Sequence, residues 1–239
     1  MSLYVYCLGD ELRGAAFEGL TGVGGARVEV LTLGALAAAV SETDEQATAV
    51  NEVNLLAHNR VNAAALAVST PLPCRFGTRA ARERLVEYVA AHEAMLVATL
   101  ARVRGHVEMS VKLMGEAEGR VRRAEVKSEE HGATGAGTAF LLQKRREMLG
   151  EEGARRRAEE AAAWLASGLG ELAHETTIRL SPSDAIFVRA AHLVARGRVA
   201  EYRARLRALA SARKDLRLLT SGPWPPYSFS DISDQNRLR

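Results

Sequence analysis

The order of hydrophobic periodicities in the second half of the chain limits the fold more than any other feature. From Val107 onward, alternating apolar segments typical of strands are interrupted twice by helical patterns. The strands are predicted at 107–113, 175–180, 185–194 and 215–220, and the helices at about 134–168 and 199–209. This is the ferredoxin-like βαββαβ order, in which two helices cover one face of an antiparallel sheet. We expect the strands at 107–113 and 185–194 to lie in the centre of that sheet.

The first half of the chain predicts a small α/β domain. Strand patterns occur at Leu3–Leu8 and Ala26–Leu31, and Leu36–Ser41 has the length of a third strand. A helical period follows, with a predicted inner face of Val53, Leu56 or Ala57, Val61, Ala64 and Val68. A second helix has the stripe Leu85, Val89, His92, Leu96, Leu100 and Val103. The predicted fold class is therefore α+β with two domains: an N-terminal domain at 1–78, a connecting helix at 79–105, and a ferredoxin-like domain with a long helix and a proline- and aromatic-rich tail at 106–239.

Between those two helices lies Pro71–Thr78, with the sequence PLPCRFGT. Its two prolines exclude a helix, so it is an edge strand or an ordered exit from the first helix. Arg75 stands among apolar neighbours, and we expect its stem to be buried and its guanidinium to be paired. Thr78 is expected to cap the second helix.

Composition places the chain among ordinary globular proteins. It has 239 residues, of which 47% are hydrophobic and 26% are charged. A formal net charge of only +3 gives little support for nucleic-acid binding, and no predicted strand carries interleaved aromatic residues. No run approaches the roughly 18 apolar residues of a membrane span. We expect a soluble cytoplasmic protein with no membrane span and no nucleic-acid partner.

The residues that could carry chemistry form no recognisable catalytic or metal-binding set. Cys7 and Cys74 lie far apart and have no metal-ligand spacing with the histidines. Cys74 has no local base that would lower its pKa, which argues against a nucleophile. His58 is interpreted as a packing or hydrogen-bonding residue rather than a catalyst. The sequence therefore predicts no enzymatic activity, no cofactor and no metal.

The segment GATGAGT at 132–138 allows two interpretations. Glycines ahead of a helix are typical of phosphate-binding loops, because helix N-termini offer unpaired N–H groups. However, the Gly-Lys-Ser/Thr signature is absent, and no strand leads directly into the segment. A helix that begins near Thr134 or Thr138 is favoured.

The end of the chain carries three prolines and three aromatic residues within a few positions. Pro223, Pro225 and Pro226 stiffen the backbone, which therefore loses less entropy when it docks. Trp224, Tyr227 and Phe229 can either seal the core of their own domain or border a surface for a partner. Sealing is favoured for apolar residues in general, but both roles stay open.

Four segments occur in an order that resembles a known family. They are LYVYCLG, His58 ahead of PLPCRFGT, GTAFLLQKRREML, and LLTSGPWPPYSF. Together they are similar to the GvpL/GvpF family of gas vesicle proteins across nearly the whole chain. Cys74 departs from the pattern, since an aliphatic residue is expected there. The match supports His58, Arg75, Phe76 and Gly77 as a structural motif, and it does not separate the F-type from the L-type member.

The resemblance implies an accessory or minor structural protein of the gas vesicle. Its partner would be the small hydrophobic GvpA-type shell subunit, with further gas vesicle accessory proteins as additional partners. Its location would be the gas vesicle in the cytoplasm, and its role would be assembly rather than catalysis. Trp224, Tyr227 and Phe229 are the candidate partner-binding residues. The alternatives are an RNA-binding module or a small-molecule enzyme built on a ferredoxin-like domain.

Overall fold

The computed structural model describes residues 2–44, 46–115, 136–182, 185–230 and 232, with side chains for all of them except 136–147 and 149. The described residues form two compact units. Unit 1 is drawn from Met1–Glu108 and Gly222–Arg239, and unit 2 is drawn from Met109–Ser221. The chain therefore leaves unit 1, builds unit 2 without interruption, and returns to unit 1 at its end.

These units differ from the predicted domain boundaries at 78/79 and 105/106. The helix expected to connect two domains packs against three strands of the unit 1 sheet, so it is part of unit 1. The tail that was assigned to the C-terminal domain belongs to unit 1 from Gly222 onward.

Unit 1 is built on a five-stranded sheet. Its strands are β1 (Ser2–Gly9), β2 (Glu29–Leu33), β3 (Leu36–Thr43), β4 (Leu72–Pro73) and β5 (Arg79–Ala80). The order is β2-β3-β1-β4, with β5 also paired to β1, and every pairing is antiparallel. Short 3-10 turns occur at Gly14–Phe17, Val23–Gly25 and Gln46–Thr48. The ambiguous segment at 36–41 is thus a strand, and the two prolines lie at a short strand on the sheet, as their missing N–H groups require.

Helix α1 (Glu52–Val68) begins at Asn51, whose side chain accepts a hydrogen bond from the backbone N–H of Asn54. The predicted inner face of this helix is partly confirmed, because Ala57 and Val61 are buried, and partly wrong, because Val53 is 75% exposed and Val68 is 55% exposed. The buried face is instead Asn54, Ala57, His58, Val61, Asn62, Ala65 and Leu66. Asn54, His58 and Asn62 on that face form hydrogen bonds within unit 1. Several apolar residues of the helix are consequently exposed on its other side.

Helix α2 (Arg82–Val103) follows its predicted stripe closely. Leu85, Val89, Leu96, Leu100 and Val103 are all buried. The predicted cap at Thr78 is wrong, since the helix begins after Ala81 without a side-chain cap. The Thr78 hydroxyl donates instead to the carbonyl of Arg75 and closes the turn before β5. Among the described residues, no helix is long and apolar enough to cross a membrane.

Unit 2 follows the predicted order of elements. Its elements are β6 (His106–Gly115), α3 (Ala136–Leu169), β7 (Glu175–Leu180), β8 (Ile186–Ala195), α4 (Val199–Ala212) and β9 (Leu216–Trp224). β6 and β9 are named whole here, although each crosses from one unit to the other. The strand order β7-β8-β6-β9 places β8 and β6 in the centre, which confirms the prediction for those two strands. The segment at 116–135, between β6 and α3, lies outside the described residues.

The unit 2 core lies on one face of its sheet. Alternate residues of the two inner strands join residues of both helices in one cluster, including Met109, Val111, Leu113, Val188, Ala190, Ala158, Leu165, Tyr202 and Leu206. Since alternate residues of a strand point to opposite faces, both helices cover the same side of the sheet.

Candidate functional site

A buried cluster of polar and aromatic side chains surrounds His58 in unit 1. Helix α1 turns the imidazole toward β1, where Nδ1 forms a 3.0 Å hydrogen bond with Tyr4 Oη. Nε2 lies 3.2 Å from Tyr227 Oη and 3.1 Å from Asn62 Nδ2. Both ring nitrogens thus have partners, and the cluster joins the first strand, the first helix and the end of the chain.

Phe76 and Gly77 complete this cluster, which we call the His58 cluster. The Gly77 N–H donates to Tyr4 Oη at 3.0 Å, and Gly77 adopts φ +85°, a region that favours glycine. The Phe76 ring packs edge-on against Tyr4 and His58, with centroid separations of 6.0 and 5.7 Å. Three of the four predicted motif residues therefore meet in space.

Arg75, the fourth motif residue, contributes through its backbone. Its carbonyl accepts hydrogen bonds from the N–H and the hydroxyl of Thr78. Its side chain is exposed, so the expected burial of the stem is wrong. The neighbours Cys74 and Phe76 are buried and half-buried, whereas the Arg75 side chain lies at the surface.

Residues that follow β9 form several hydrogen bonds with other parts of unit 1. We call residues 225–230 and 232 the strap. The Ser228 N–H and hydroxyl donate to the two oxygens of the Glu108 carboxylate, at 2.6 and 2.9 Å. Arg102 Nη2 donates to the carbonyl of Phe229 at 2.6 Å. Phe229 and Ile232 are 4% and 1% exposed, so the strap carries core residues of unit 1.

The three aromatic residues predicted to meet a partner thus have different positions. Tyr227 is bonded to His58, and Phe229 is buried. Trp224, at 40%, is the most exposed of the three.

Burial governs the electrostatics of this region. It lowers the pKa of His58 to about 4, an effect partly opposed by a hydrogen bond with the Cys74 backbone. It raises the pKa of the Tyr4 and Tyr227 phenols, and it raises the pKa of the Cys74 thiol to about 12. Near neutral pH these groups are therefore uncharged, and the cluster holds chain segments together without offering a nucleophile or a charged base.

The Glu108 carboxyl accepts two hydrogen bonds from Ser228 of the strap. Burial raises its pKa, and the two hydrogen bonds from Ser228 oppose that shift. Over the ranges described, no group of three or more His, Cys, Asp or Glu side chains could hold a metal ion. The glycine segment at 132–138 lies mostly outside the described residues.

Several residues of the site had no prediction from the sequence. Tyr4 lies in a recognised strand, and Asn62 follows His58 by one helical turn, so their proximity to His58 is readable only after the helix face is known. Glu108 and Ser228 are 120 residues apart, and no local pattern links them.

Comparison with known proteins decides the family. A model described as gas vesicle synthesis protein GvpL/GvpF matches residues 2–231. The chain belongs to the GvpL/GvpF family. It is 27% identical to gas vesicle protein L of Streptomyces sp. (strain CB03234), over 98% of this chain and 94% of that protein. It is 31% identical to gas vesicle protein F of the same strain, over 96% of this chain and 99% of that protein.

Two solved structures share the fold of this family member. The crystal structure of the gas vesicle protein GvpF from Anabaena sp. PCC7120 has a TM-score of 0.77, with 97% of this chain and 98% of that chain covered. GvpF from Microcystis aeruginosa has a TM-score of 0.76, with 97% and 99% covered. Both are 18% identical in sequence, so they show the fold alone. The mixed helices and strands with two antiparallel sheets thus recur in both GvpF structures.

Proposed function

We propose that this chain is an accessory or minor structural protein of the gas vesicle, and that it binds the small hydrophobic GvpA-type shell subunit to support assembly. The observation that carries the proposal is the family match over residues 2–231. Gas vesicle association in the cytoplasm is the corresponding location. Further gas vesicle accessory proteins are additional partners under this proposal.

The surface of unit 1 supports binding of an apolar partner. Exposed large apolar residues concentrate around α1, where Val50, Val53 and Leu56 are 78%, 75% and 45% exposed. Val53 and Leu56 are neighbours at i and i+3 on α1, and Val50 directly precedes the N-cap of that helix. Clustered exposed apolar residues commonly mark interaction sites. We assign Trp224 a contact role, while Tyr227 and Phe229 hold the strap that carries it.

We further propose that the protein acts without catalysis and without a required cofactor. The support is the state of its buried titratable groups, because His58 stays neutral and the buried thiols resist ionisation. The ferredoxin-like assignment of unit 2 is also a proposal. It rests on the strand order β7-β8-β6-β9 and on two helices that cover one face.

Co-expression with a tagged shell subunit tests the function directly. The wild-type chain is expected to co-purify with the subunit, and Trp224→Ala is expected to reduce capture while the melting temperature stays within a few degrees. Val53→Ser with Leu56→Ser tests the α1 surface in the same assay, and Arg207→Ser serves as an exposed control on α4. If the wild-type chain is not retained by the shell subunit, the proposal fails. If capture is retained in every variant, the assigned surface is wrong.

A further inference from the structure

The face of the unit 2 sheet that points away from its helices carries one cationic residue on each strand. On β6, Met109, Val111 and Leu113 belong to the core, so Lys112 points to the opposite face. The same alternation places Arg189 of β8 and Arg217 of β9 on that face. Arg179 of β7 is the direct register partner of Arg189 and shares its face. We call these four residues the basic row.

The four residues lie toward one end of the sheet. Arg179 is next to last in β7, and Arg189 is fourth in β8, where the two strands pair antiparallel. A Cβ on Gly115, the last residue of β6, would stand 3.7 Å from the Phe187 ring at the start of β8. The end of β6 therefore lies beside the beginning of β8, and Lys112 is three residues from that end. Arg217 is the second residue of β9.

This arrangement costs stability in the isolated chain. Like charges directly opposite each other on neighbouring strands are destabilising, and Arg179 and Arg189 are such a pair. Lys112, Arg179 and Arg217 are exposed, and none of the three forms an ion pair within the described part of the chain. The Arg189 guanidinium is held in place by Ser181 Oγ and the Ile186 carbonyl, both at 3.2 Å.

Several other cations of unit 2 are neutralised by nearby carboxylates. Arg155 pairs with Glu159 on α3, Arg198 pairs with Glu201 on α4, and Arg213 pairs with Asp215 before β9. Within the described part of the chain, Lys112, Arg179 and Arg217 have no such partner, so three cations on one face of the sheet are open to counter-charge from another molecule.

We propose that the basic row binds an acidic segment of a partner protein. Neighbouring strands lie about 4.8 Å apart, so four strands present charges across roughly 14 Å, a span that a short peptide segment covers. Met114 and Leu219 add apolar surface to the same face, which suits a peptide with mixed acidic and apolar residues. A nucleic-acid strand is disfavoured because the described part of this face offers no exposed aromatic ring for base stacking. This surface belongs to unit 2 alone, and the proposal does not depend on shell-subunit binding.

Fluorescence anisotropy with the full chain tests the proposal. The probe is a fluorescein-labelled 12-residue peptide of glutamate interspersed with leucine and serine, and a labelled 15-mer of deoxythymidine is titrated in parallel. Lys112→Glu with Arg179→Glu reverses two charges of the row. Arg157→Glu with Arg207→Glu makes the same change in net charge on exposed positions of the helices that cover the opposite face.

We expect the wild-type chain to bind the acidic peptide more tightly than the oligonucleotide. The row variant should bind the peptide at least tenfold more weakly, and the helix variant should stay within about twofold of wild type. A row variant with Gln at both positions should show an intermediate loss, which separates lost attraction from added repulsion. Equal losses in the row and helix variants would overturn the proposal in favour of a general charge effect. Tighter binding of the oligonucleotide with the same dependence on the row would assign the surface to nucleic acid. An absence of wild-type binding at millimolar protein would overturn the proposal and leave the row as a solvated charged face of the sheet.

Discussion

The two units each bury a histidine beside a tyrosine, but the two sites differ in what they connect. In unit 2, His192 Nδ1 lies 2.6 Å from Tyr202 Oη, and the residues are ten positions apart. In unit 1, His58 bonds Tyr4 and Tyr227, which are 54 and 169 positions away. The unit 2 pair joins a strand to the helix that follows it, whereas the His58 cluster joins both ends of the chain. The difference shows that the same residue types can fix a local packing or close a whole unit.

Chain connectivity explains why unit 1 needs such a cluster. Unit 2 is continuous, so its long-range pairings close within one stretch of chain. The last segment of unit 1 follows the whole of unit 2 in the sequence. Bringing that segment back to the rest of unit 1 has an entropy cost that grows slowly with loop length. The strap offsets that cost with buried side chains and with hydrogen bonds to Glu108, His58 and Arg102.

The strap gives the largest expected difference between the units. Phe229→Ala removes a buried ring and should destabilise unit 1 by about 3–5 kcal/mol. Trp224→Ala removes a ring that is 40% exposed and should cost about 1 kcal/mol or less. Denaturant unfolding of both variants measures this. Equal losses for the two would contradict the inward position of Phe229.

The two histidines give the next comparison. His58→Gln should cost about 3 kcal/mol, because Tyr4, Tyr227 and Asn62 lose a common buried partner. His192→Gln should cost about 1–2 kcal/mol, because one phenol loses its partner. Thermal unfolding ranks the two, and a larger loss at His192 would show that the His58 cluster does not close unit 1.

Acid should destabilise the protein through both histidines. Burial lowers the pKa of His58 and of His192 to about 4, from 6.5, so the unfolded chain binds these protons first as the pH falls. The stability is fully present above about pH 6.5 and is lost down to about pH 4. Between pH 7 and 5 each histidine should contribute a loss of about 2 kcal/mol. Denaturant unfolding at both pH values should therefore show a smaller acid loss in His58→Gln and in His192→Gln than in wild type.

The Glu108 carboxyl of unit 1 should change the stability with pH in the opposite direction to the two histidines. Its pKa is raised by burial, so the folded protein binds this proton before the unfolded chain does, and the contribution of Glu108 to stability rises as the pH falls. Glu108→Gln should thus make the acid loss of unit 1 steeper. An unchanged acid dependence in that variant would mean that the Glu108 carboxyl titrates alike in the folded and unfolded chains.

The smallest expected effect concerns one hydrogen bond. Tyr227→Phe keeps the ring and removes only the 3.2 Å bond to His58, so it should cost about 0.5–1.5 kcal/mol. Tyr6→Phe is a matched comparison within the same core, since Tyr6 Oη bonds Ser41 and accepts from the Val23 N–H. The Tyr6 variant should lose more stability, because Ser41 Oγ and the Val23 N–H would both lose a buried hydrogen-bond partner. The opposite ranking would place the strap among the stronger contacts of the unit.

Sequence patterns predicted the strands of unit 2 well because alternation is a local signal. β6 and β8 alternate between core and outer residues, and the order of the strands predicted which of them lie in the centre. The face of α1 was predicted only in part in this way. Residues 53–68 are apolar on more than one side, and the buried face is chosen by Asn54, His58 and Asn62, which bond other parts of unit 1.

The candidate site was predicted only where a motif is compact in sequence. His58, Phe76 and Gly77 were identified by resemblance, and the structure brings them together. The domain boundaries were missed because the contacts that define unit 1 join Glu108 to Ser228 and Arg102 to Phe229. Pairings across more than 100 residues leave no periodic trace in a single sequence.

Hydrogen exchange of the full chain carrying Phe229→Ala tests most directly whether the strap closes unit 1. The account predicts faster exchange of backbone amides in β1 and α1 than in wild type, while β7 and β8 keep their wild-type protection. Unchanged protection in β1 and α1, or an equal loss in both units, would contradict it.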